Sequence, residues 1–250
     1  MKIIKPSFEI YDKDIQAVSD SLKLIERMAR ISHQSQGGIS DNSSISFLQK
    51  SIAARNHYNV FKHRVVSVII ICDRGITHEL VREDDTAITQ ESTRFCNYSK
   101  EKFNSETTVV DIKIHIKNPK AFDIWFNHMI AGEKAYLEMI ALGESPEISR
   151  SVLSNSLKSE IGLTFTLAGW RKFFQKRCAR DVHPQMLEIT IPVFVEMKKR
   201  IPVIFDDLNI SYCQSCEKKL GEKRIDNDIN FGINCDNCWD NIKESWGIDR

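Results

Sequence analysis

Two pairs of cysteines near the C-terminus place the strongest constraint on how this chain folds. Cys213 and Cys216 form one Cys-x2-Cys pair, and Cys235 and Cys238 form another, with residues 217–234 between them. The surrounding segment has few aliphatic side chains, so it cannot build a core of its own without a cross-link or a metal. The spacing is typical of a structural zinc ion held by four thiolates.

We therefore predict two domains, a larger one over residues 1–208 and a small zinc-ribbon-like module over residues 209–250. Two redox pairs or plain buried thiols are the alternative interpretation of the cysteines. Whether the module contacts nucleic acid, another protein or its own larger domain stays open at this point.

The charge balance limits the kinds of partner. The chain has 35 Lys and Arg against 34 Asp and Glu, a formal net charge of +1, so no overall field favours nucleic acid or an anionic membrane. Any anion binding must be local. The N-terminal segment has no apolar run long enough for a signal peptide, and the apolar run 65–72 is too short to span a bilayer. We predict a cytoplasmic protein without a membrane partner, where thiolates serve metals rather than disulfides.

Hydrophobic periodicity predicts a mixture of strands and helices without strict alternation. Apolar residues at intervals of three and four predict helices, and β-branched or alternating runs predict strands. The expected helices cover 13–31, 45–56, 76–82, 119–142, 169–178 and 183–200, the last interrupted at Pro192. The expected strands cover 64–71, 108–116 and 160–168. This order predicts an α+β fold rather than a doubly wound sheet.

Four separate segments carry a family resemblance: "MKIIKPSFEI", "ICDRGITHELVR", "TQESTRFCNYSK" and "NSLKSEIGLTFTLAGWRKFFQKRCARDVHPQM". In order and spacing, the first 208 residues or so resemble the flavin-dependent thymidylate synthases, the ThyX family. The resemblance implies an α+β domain assembled as a homotetramer with active sites shared between subunits. It also implies reductive C5 methylation of a pyrimidine deoxynucleotide, dUMP, with methylenetetrahydrofolate as carbon donor, NADPH as reductant and FAD as cofactor.

The resemblance also implies which residues bind the nucleotide. Ser92 and Arg94 match the Ser-x-Arg of the family signature, and Arg150 and Arg177 match two further arginines around the nucleotide. The full implied substrate set is Glu79, Gln90, Ser92, Arg94, Arg150 and Arg177, with Ser92 and Arg177 in catalytic roles. Arginine suits this task because its planar guanidinium contacts phosphate oxygens in a bidentate manner.

The implied cofactor shell departs from the family pattern. Its positions are His63, Arg82, Glu83, Asp84, Thr166 and Lys172. The family has Arg-His-Arg where this chain has Arg82-Glu83-Asp84, followed by Asp85, so a charge of about +2 becomes one positive and three negative charges. At about 5 Å and an effective dielectric constant near 20, one pair of like charges costs roughly 3 kcal/mol. These carboxylates oppose the phosphates of FAD and dUMP.

Three interpretations of this reversal remain open. One is a synthase of the ordinary kind, in which Lys172 and nearby charges compensate. A second is a diverged enzyme that methylates or hydroxymethylates another pyrimidine deoxynucleotide such as dCMP, whose exocyclic amine is a good donor to a carboxylate. The third is a non-catalytic scaffold whose zinc module binds a partner. The flavin content of the purified protein distinguishes the enzymes from the scaffold.

Overall fold

The computed structural model describes residues 1–11, 18–40, 42–52, 56–179, 181–208 and 210. The four cysteines of the zinc module lie outside these residues, so the module and its boundary stay predictions. The chain divides into two compact units. The first takes Met1–Tyr11 and Ser67–Thr164, and the second takes the described parts of Asp12–Val66 and Phe165–Arg250.

The first unit contains most of a four-stranded sheet. In spatial order its strands are β2 (Ser7–Ile10), β3 (Val65–Asp73), β6 (Lys158–Thr166) and β4 (Ala87–Gln90). β2 is antiparallel to β3, and β4 is antiparallel to β6. Alternate residues are buried along the two central strands, Val68 and Ile70 in β3 and Ile161 and Leu163 in β6. β4 is thus an edge strand beside a central one.

Two further strands form a separate pair in the same unit. β1 (Lys2–Ile4) runs parallel to β5 (Thr108–Val110). The strand predicted over 108–116 is therefore too long. The Asp111 carboxylate accepts a hydrogen bond of 2.8 Å from the backbone N–H of Lys113, which turns the chain into a 3-10 turn, Lys113–His115. Ile114, in this turn, is 67% exposed.

Three helices belong to the first unit: α3 (Arg74–Leu80), α4 (Pro119–Ala141) and α5 (Pro146–Ser149). Each begins at a capping side chain, as unpaired N–H groups at a helix start require. Asp73 accepts from the N–H of Ile76 at 2.8 Å before α3, and Asn118 accepts from Lys120 at 3.0 Å before α4. The long helix predicted over 119–142 is confirmed.

The second unit is mainly helical around an aromatic core. Its helices are α1 (Val18–Arg30), α2 (Ser43–Phe47), α6 (Leu167–Arg177), α7 (Pro184–Arg200) and α8 (Pro202–Phe205). Phe174 of α6 lies 5.0 Å from Phe194 of α7 and 5.7 Å from Phe205 of α8, between ring centroids. Trp170 is fully buried, and its indole N–H donates to the carbonyl of Val66 at 3.0 Å.

One fully buried carboxylate stabilises the start of the second unit. Glu26 of α1 accepts hydrogen bonds from the hydroxyls of Ser43 at 2.7 Å and Ser44 at 2.8 Å. Arg30, one helical turn along α1, contacts the same carboxylate at 2.8 Å. The charge is therefore paired and hydrogen-bonded, as a buried charge must be.

The α+β prediction is confirmed, with two corrections besides the shortened β5. α7 runs without a break through Pro192, because its buried face holds the helix together although Pro192 lacks an N–H donor. The short strands β1, β2 and β4 were missed. Across the described residues, no helix is long and apolar enough to cross a membrane.

Candidate nucleotide site

The Ser-x-Arg motif lies in a tight turn directly after the edge strand β4. The N–H groups of Phe95 and Cys96 both donate to the carbonyl of Ser92, at 3.1 Å and 3.0 Å. The Ser92 hydroxyl accepts from the N–H of Arg94 at 3.3 Å, which is a local serine turn. The turn therefore holds Ser92 and Arg94 close together, with the Arg94 side chain 54% exposed.

Arg150 reaches this turn from another part of the first unit. It follows α5, and its Nη1 donates to the Thr93 hydroxyl at 3.0 Å. Arg94 in turn contacts Glu147 of α5, with 2.8 Å between Nε and Oε1. Three sequence-predicted residues, Ser92, Arg94 and Arg150, thus meet around one turn. Two guanidinium groups and one hydroxyl are a donor set suited to a phosphate.

Two other predicted substrate residues, Gln90 and Glu79, lie outside the turn, on β4 and on α3. The Gln90 amide nitrogen donates to the Thr77 hydroxyl at 2.7 Å and to the Ser159 hydroxyl at 3.1 Å. Since Thr77 and Ser159 are fully buried, this amide ties β4 to α3 and β6. Glu79 is half-buried on α3. The contacts of Gln90 therefore position the strand that ends at Ser92.

The segment that replaces Arg-His-Arg closes α3. The N–H of Arg82 donates to the carbonyl of Glu79 at 3.3 Å, and Asp85 has left-handed backbone geometry with φ 56°. Arg82 and Asp84 are exposed and Glu83 is half-buried. One guanidinium among three carboxylates does not fit a pyrophosphate, so this segment does not fit FAD in the way the resemblance implies.

The remaining predicted residues belong to the second unit. His63 is exposed at the end of a 3-10 helix, Tyr58–His63, and Lys172 is exposed on α6. Thr166 caps α6, because its hydroxyl accepts from the N–H of Gly169 at 3.0 Å. Arg177 is the half-buried last residue of α6, and its carbonyl accepts from the Thr190 hydroxyl at 3.0 Å. Among the implied cofactor positions of this unit, His63 and Lys172 have the chemistry to approach an anionic cofactor.

Sequence reasoning missed several residues that hold the turn. Thr93 and Glu147 contact the two arginines. Lys158 at 2.8 Å and the hydroxyl of Tyr98 at 3.0 Å hold Glu91, which the sequence had already matched to the family motif. These contacts join distant segments, so no local spacing signals them. Among the described residues, no group of three or more His, Cys, Asp or Glu is arranged to hold a metal ion.

Residues 15–203 match the protein family described as "Thymidylate synthase complementing protein". The chain belongs to this family. The resemblance inferred from the sequence is thereby confirmed at the level of the family, while the altered signature and the zinc module remain predictions.

The relatives of this chain include three flavin-dependent thymidylate synthases. The one from Pyrococcus furiosus is 28% identical over 178 residues, which cover 71% of this chain and 72% of that protein. The one from Pyrococcus abyssi is 27% identical over 150 residues, 60% and 61% of the two proteins. The one from Corynebacterium diphtheriae is 24% identical over 171 residues, 62% and 66%. The last two matches therefore span less than two thirds of the relative.

A solved structure resembles this family member in fold. It is the UMP/dUMP methylase PolB from Streptomyces cacaoi bound with 5-Br dUMP, with a TM-score of 0.67 and 15% sequence identity. The likeness covers 82% of this chain and 96% of the PolB chain. At this identity it establishes the shared α+β fold.

Proposed function

We propose that this protein binds a pyrimidine deoxynucleoside monophosphate, with dUMP as the substrate, and methylates C5 of its base. Membership of the family and the names of three relatives as flavin-dependent thymidylate synthases support the reaction. The observation that carries the proposal is the convergence of Arg94 and Arg150 on the turn 92–95.

Arg94 and Arg150 would bind the phosphate of the nucleotide. Both lie at the surface of the first unit, one exposed and one half-buried, and Arg150 already has its guanidinium held by Thr93. Arg94 is paired with Glu147, whose side chain is 50% exposed. An exposed pair of this kind is worth at most about 1 kcal/mol, so a phosphate dianion can displace the carboxylate.

Ser92 and Arg177 are proposed to act on the nucleotide directly. The Ser92 oxygen already accepts from Arg94, so its own proton can be donated to an oxygen of the ligand. Arg177 enters the proposal through the family resemblance, as a further guanidinium for the phosphate or for charge that develops during the reaction. Gln90 and Glu79 complete the proposed substrate set, with Gln90 acting through the position of β4.

Fewer residues suit FAD than the family resemblance implies. FAD, once reduced by NADPH, would pass on the reducing equivalents that C5 methylation requires, with methylenetetrahydrofolate as carbon donor. Among the six implied FAD positions, His63 and Lys172 suit this ligand, whereas Glu83 and Asp84 oppose it. Thr166 is already used as a helix cap. Homotetrameric assembly and a cytoplasmic location belong to the same proposal.

A second substrate follows from the acidic segment. Glu83 and Asp84 are good acceptors for an exocyclic amine and poor neighbours for a carbonyl oxygen. If either of them faces the base, dCMP replaces dUMP as the preferred nucleotide, and the product is methylated or hydroxymethylated. The non-catalytic scaffold rests on the cysteine pairs and predicts a colourless protein that binds neither nucleotide.

Titration calorimetry of the purified protein with dUMP and dCMP in separate experiments tests the proposal. Saturable binding of dUMP, weakened by added phosphate, supports it. Preference for dCMP supports the second substrate. Absence of binding by both nucleotides, together with absence of flavin, contradicts the enzyme and favours the scaffold.

A further inference from the structure

Glu91 and Tyr98 close the neck of a short loop that contains Ser92 and Arg94. The Tyr98 hydroxyl donates to Oε1 of Glu91 at 3.0 Å. Residues 92–97, called the 92–97 loop below, connect the end of β4 to the buried Tyr98. Phe95 is 80% exposed at the outer part of this loop.

The Glu91 side of the neck is anchored on β6. Oε2 of Glu91 accepts from the Lys158 ammonium at 2.8 Å and from the N–H of Glu160 at 3.3 Å. The Glu91 N–H donates to the Glu160 carbonyl at 2.8 Å. Both oxygens of this carboxylate, which is only 12% exposed, are therefore engaged. Charge-assisted bonds in such a site are stronger than bonds at the surface.

The Tyr98 side of the neck is anchored in a small apolar cluster. The Tyr98 ring lies 5.7 Å from the ring of Tyr136 and 5.1 Å from that of Phe103, between centroids. The Tyr98 N–H donates to the Tyr136 hydroxyl at 3.2 Å. Burial first, and the charge of Glu91 second, raise the pKa of Tyr98, so its hydroxyl remains a donor at neutral pH. Contacts with β6 therefore fix one end of the loop, and contacts with the apolar cluster fix the other.

Within the loop, the Thr93 side chain is buried, and Cys96 packs against the apolar cluster around Tyr98 and Tyr136. Arg150 bonds to Thr93, and the exposed pair of Arg94 with Glu147 contributes little and would be lost when a phosphate binds. We propose that Glu91, Tyr98 and Lys158 are positioning residues that hold the 92–97 loop so that Ser92 and Arg94 meet the nucleotide phosphate. This role rests on the proposed function of the site, and nothing in that function requires these three residues to touch the nucleotide.

Tyr98→Phe is the cleanest test, because it keeps the ring in the apolar cluster and removes only the hydroxyl. Loss of one hydrogen bond to a carboxylate predicts a dissociation constant for dUMP raised about five- to tenfold. In turnover, the KM for dUMP should rise while kcat at saturating dUMP changes little. The melting temperature should shift no more than in the matched control Tyr58→Phe, which removes a hydroxyl that donates to Asp207 at 3.0 Å.

The rate of Cys96 alkylation, measured by peptide mass spectrometry, reports how firmly the loop is held, and the measurement needs no nucleotide. Cys96 is half-buried in the loop, and burial followed by the charge of Glu91 raises the pKa of its thiol, which Lys158 lowers. Glu91→Gln and Lys158→Met therefore shift thiol ionisation in opposite directions. A loosened loop predicts faster alkylation in both variants and in Tyr98→Phe. Cys178 is the internal reference, because burial raises the pKa of its thiol to about 12.

The outcomes separate this role from the proposed function. Tight dUMP binding by the unmutated protein with the same dissociation constant in Tyr98→Phe overturns the positioning role alone. If alkylation speeds up in Glu91→Gln but slows in Lys158→Met, the rates report thiol ionisation only. That outcome also overturns the positioning role. Absence of dUMP binding by the unmutated protein contradicts the proposed function and, with it, any role towards the phosphate.

Discussion

Arg150 and Thr93 lie 57 residues apart in the chain, and a hydrogen bond of 3.0 Å joins the guanidinium of one to the hydroxyl of the other. This contact brings the segment after α5 to the turn after β4. Because Arg94 stands in the same turn, the bond places two guanidinium groups beside one surface of the first unit. The phosphate-binding proposal depends on this relationship.

Arg150→Ala should weaken dUMP binding by about 1.5–3 kcal/mol, roughly ten- to a hundredfold, because a charge-assisted contact to the phosphate is lost. Calorimetric titration measures the effect. Arg200→Ala is the matched control, since Arg200 pairs with Glu196 of its own helix at 2.7 Å, and this variant should bind dUMP normally. Equal affinity of the Arg150 variant and the control would remove Arg150 from the phosphate site.

Glu147→Gln should tighten nucleotide binding about two- to fivefold. The Glu147 carboxylate occupies Arg94 in the free protein, and an exposed ion pair contributes up to about 1 kcal/mol that the phosphate must otherwise overcome. Glu144→Gln removes a nearby exposed carboxylate outside any described ion pair with Arg94 and serves as the control. Weaker binding in Glu147→Gln would show that Glu147 supports the site rather than competing for it.

Glu26→Gln should destabilise the protein at neutral pH and much less in acid. Burial raises the pKa of Glu26, but the hydrogen bonds from Ser43 and Ser44 and the Arg30 guanidinium outweigh burial, so its pKa lies below the usual value. Stability from a lowered carboxylate pKa is present above the unfolded-state pKa of about 4.3 and is lost as pH falls through the folded-state pKa.

Denaturant titrations of wild type and Glu26→Gln between pH 7 and pH 3 test this expectation. The difference in the free energy of unfolding should be about 2–4 kcal/mol at pH 7 and should shrink below about pH 4. Glu196→Gln, which alters a partly exposed pair on α7, should give a small difference at every pH. A gap between wild type and Glu26→Gln that is independent of pH would mean that the carboxylate charge is not what stabilises the unit.

The cysteine tail should bind one zinc ion per chain through Cys213, Cys216, Cys235 and Cys238. Elemental analysis of anaerobically purified protein measures the stoichiometry. Because a structural metal contributes to folding directly, chelation should make residues 209–245 protease-sensitive while residues 1–208 stay resistant. Replacing Cys216 by Ser should have the same effect, and replacing the buried Cys72 by Ser should not release zinc. Protein without stoichiometric metal would contradict the zinc site.

Local sequence patterns predicted the helices and strands whose own residues show a clear hydrophobic periodicity or β-branched composition. α4 has regularly spaced apolar residues and a Pro119 start, and β3 is a β-branched run, so both were predicted from local sequence. β4 has four residues and forms because it pairs with β6, which no local pattern encodes. β5 ends early because the side chain of Asp111 turns the chain.

The candidate site was predictable to a similar extent. Ser92, Arg94 and Arg150 were found through the family resemblance, and the structure brings them together. Glu91 and Lys158 are 67 residues apart and meet only because β4 and β6 are neighbours in the sheet. The sequence showed the acidic charge of segment 82–85. The exposure of Arg82, Asp84 and Asp85 depends on the turn that follows α3.

The most direct test of the proposed function is identification by mass of the product from dUMP. The reaction contains the full-length protein, FAD, NADPH, methylenetetrahydrofolate and dUMP, with a parallel reaction in which dCMP replaces dUMP. We expect dTMP, heavier than dUMP by one methylene group. At dUMP concentrations below the KM of the unmutated protein, Arg150→Ala should form it roughly ten- to a hundredfold more slowly. Unchanged dUMP after prolonged incubation with metal-replete, folded protein would contradict it.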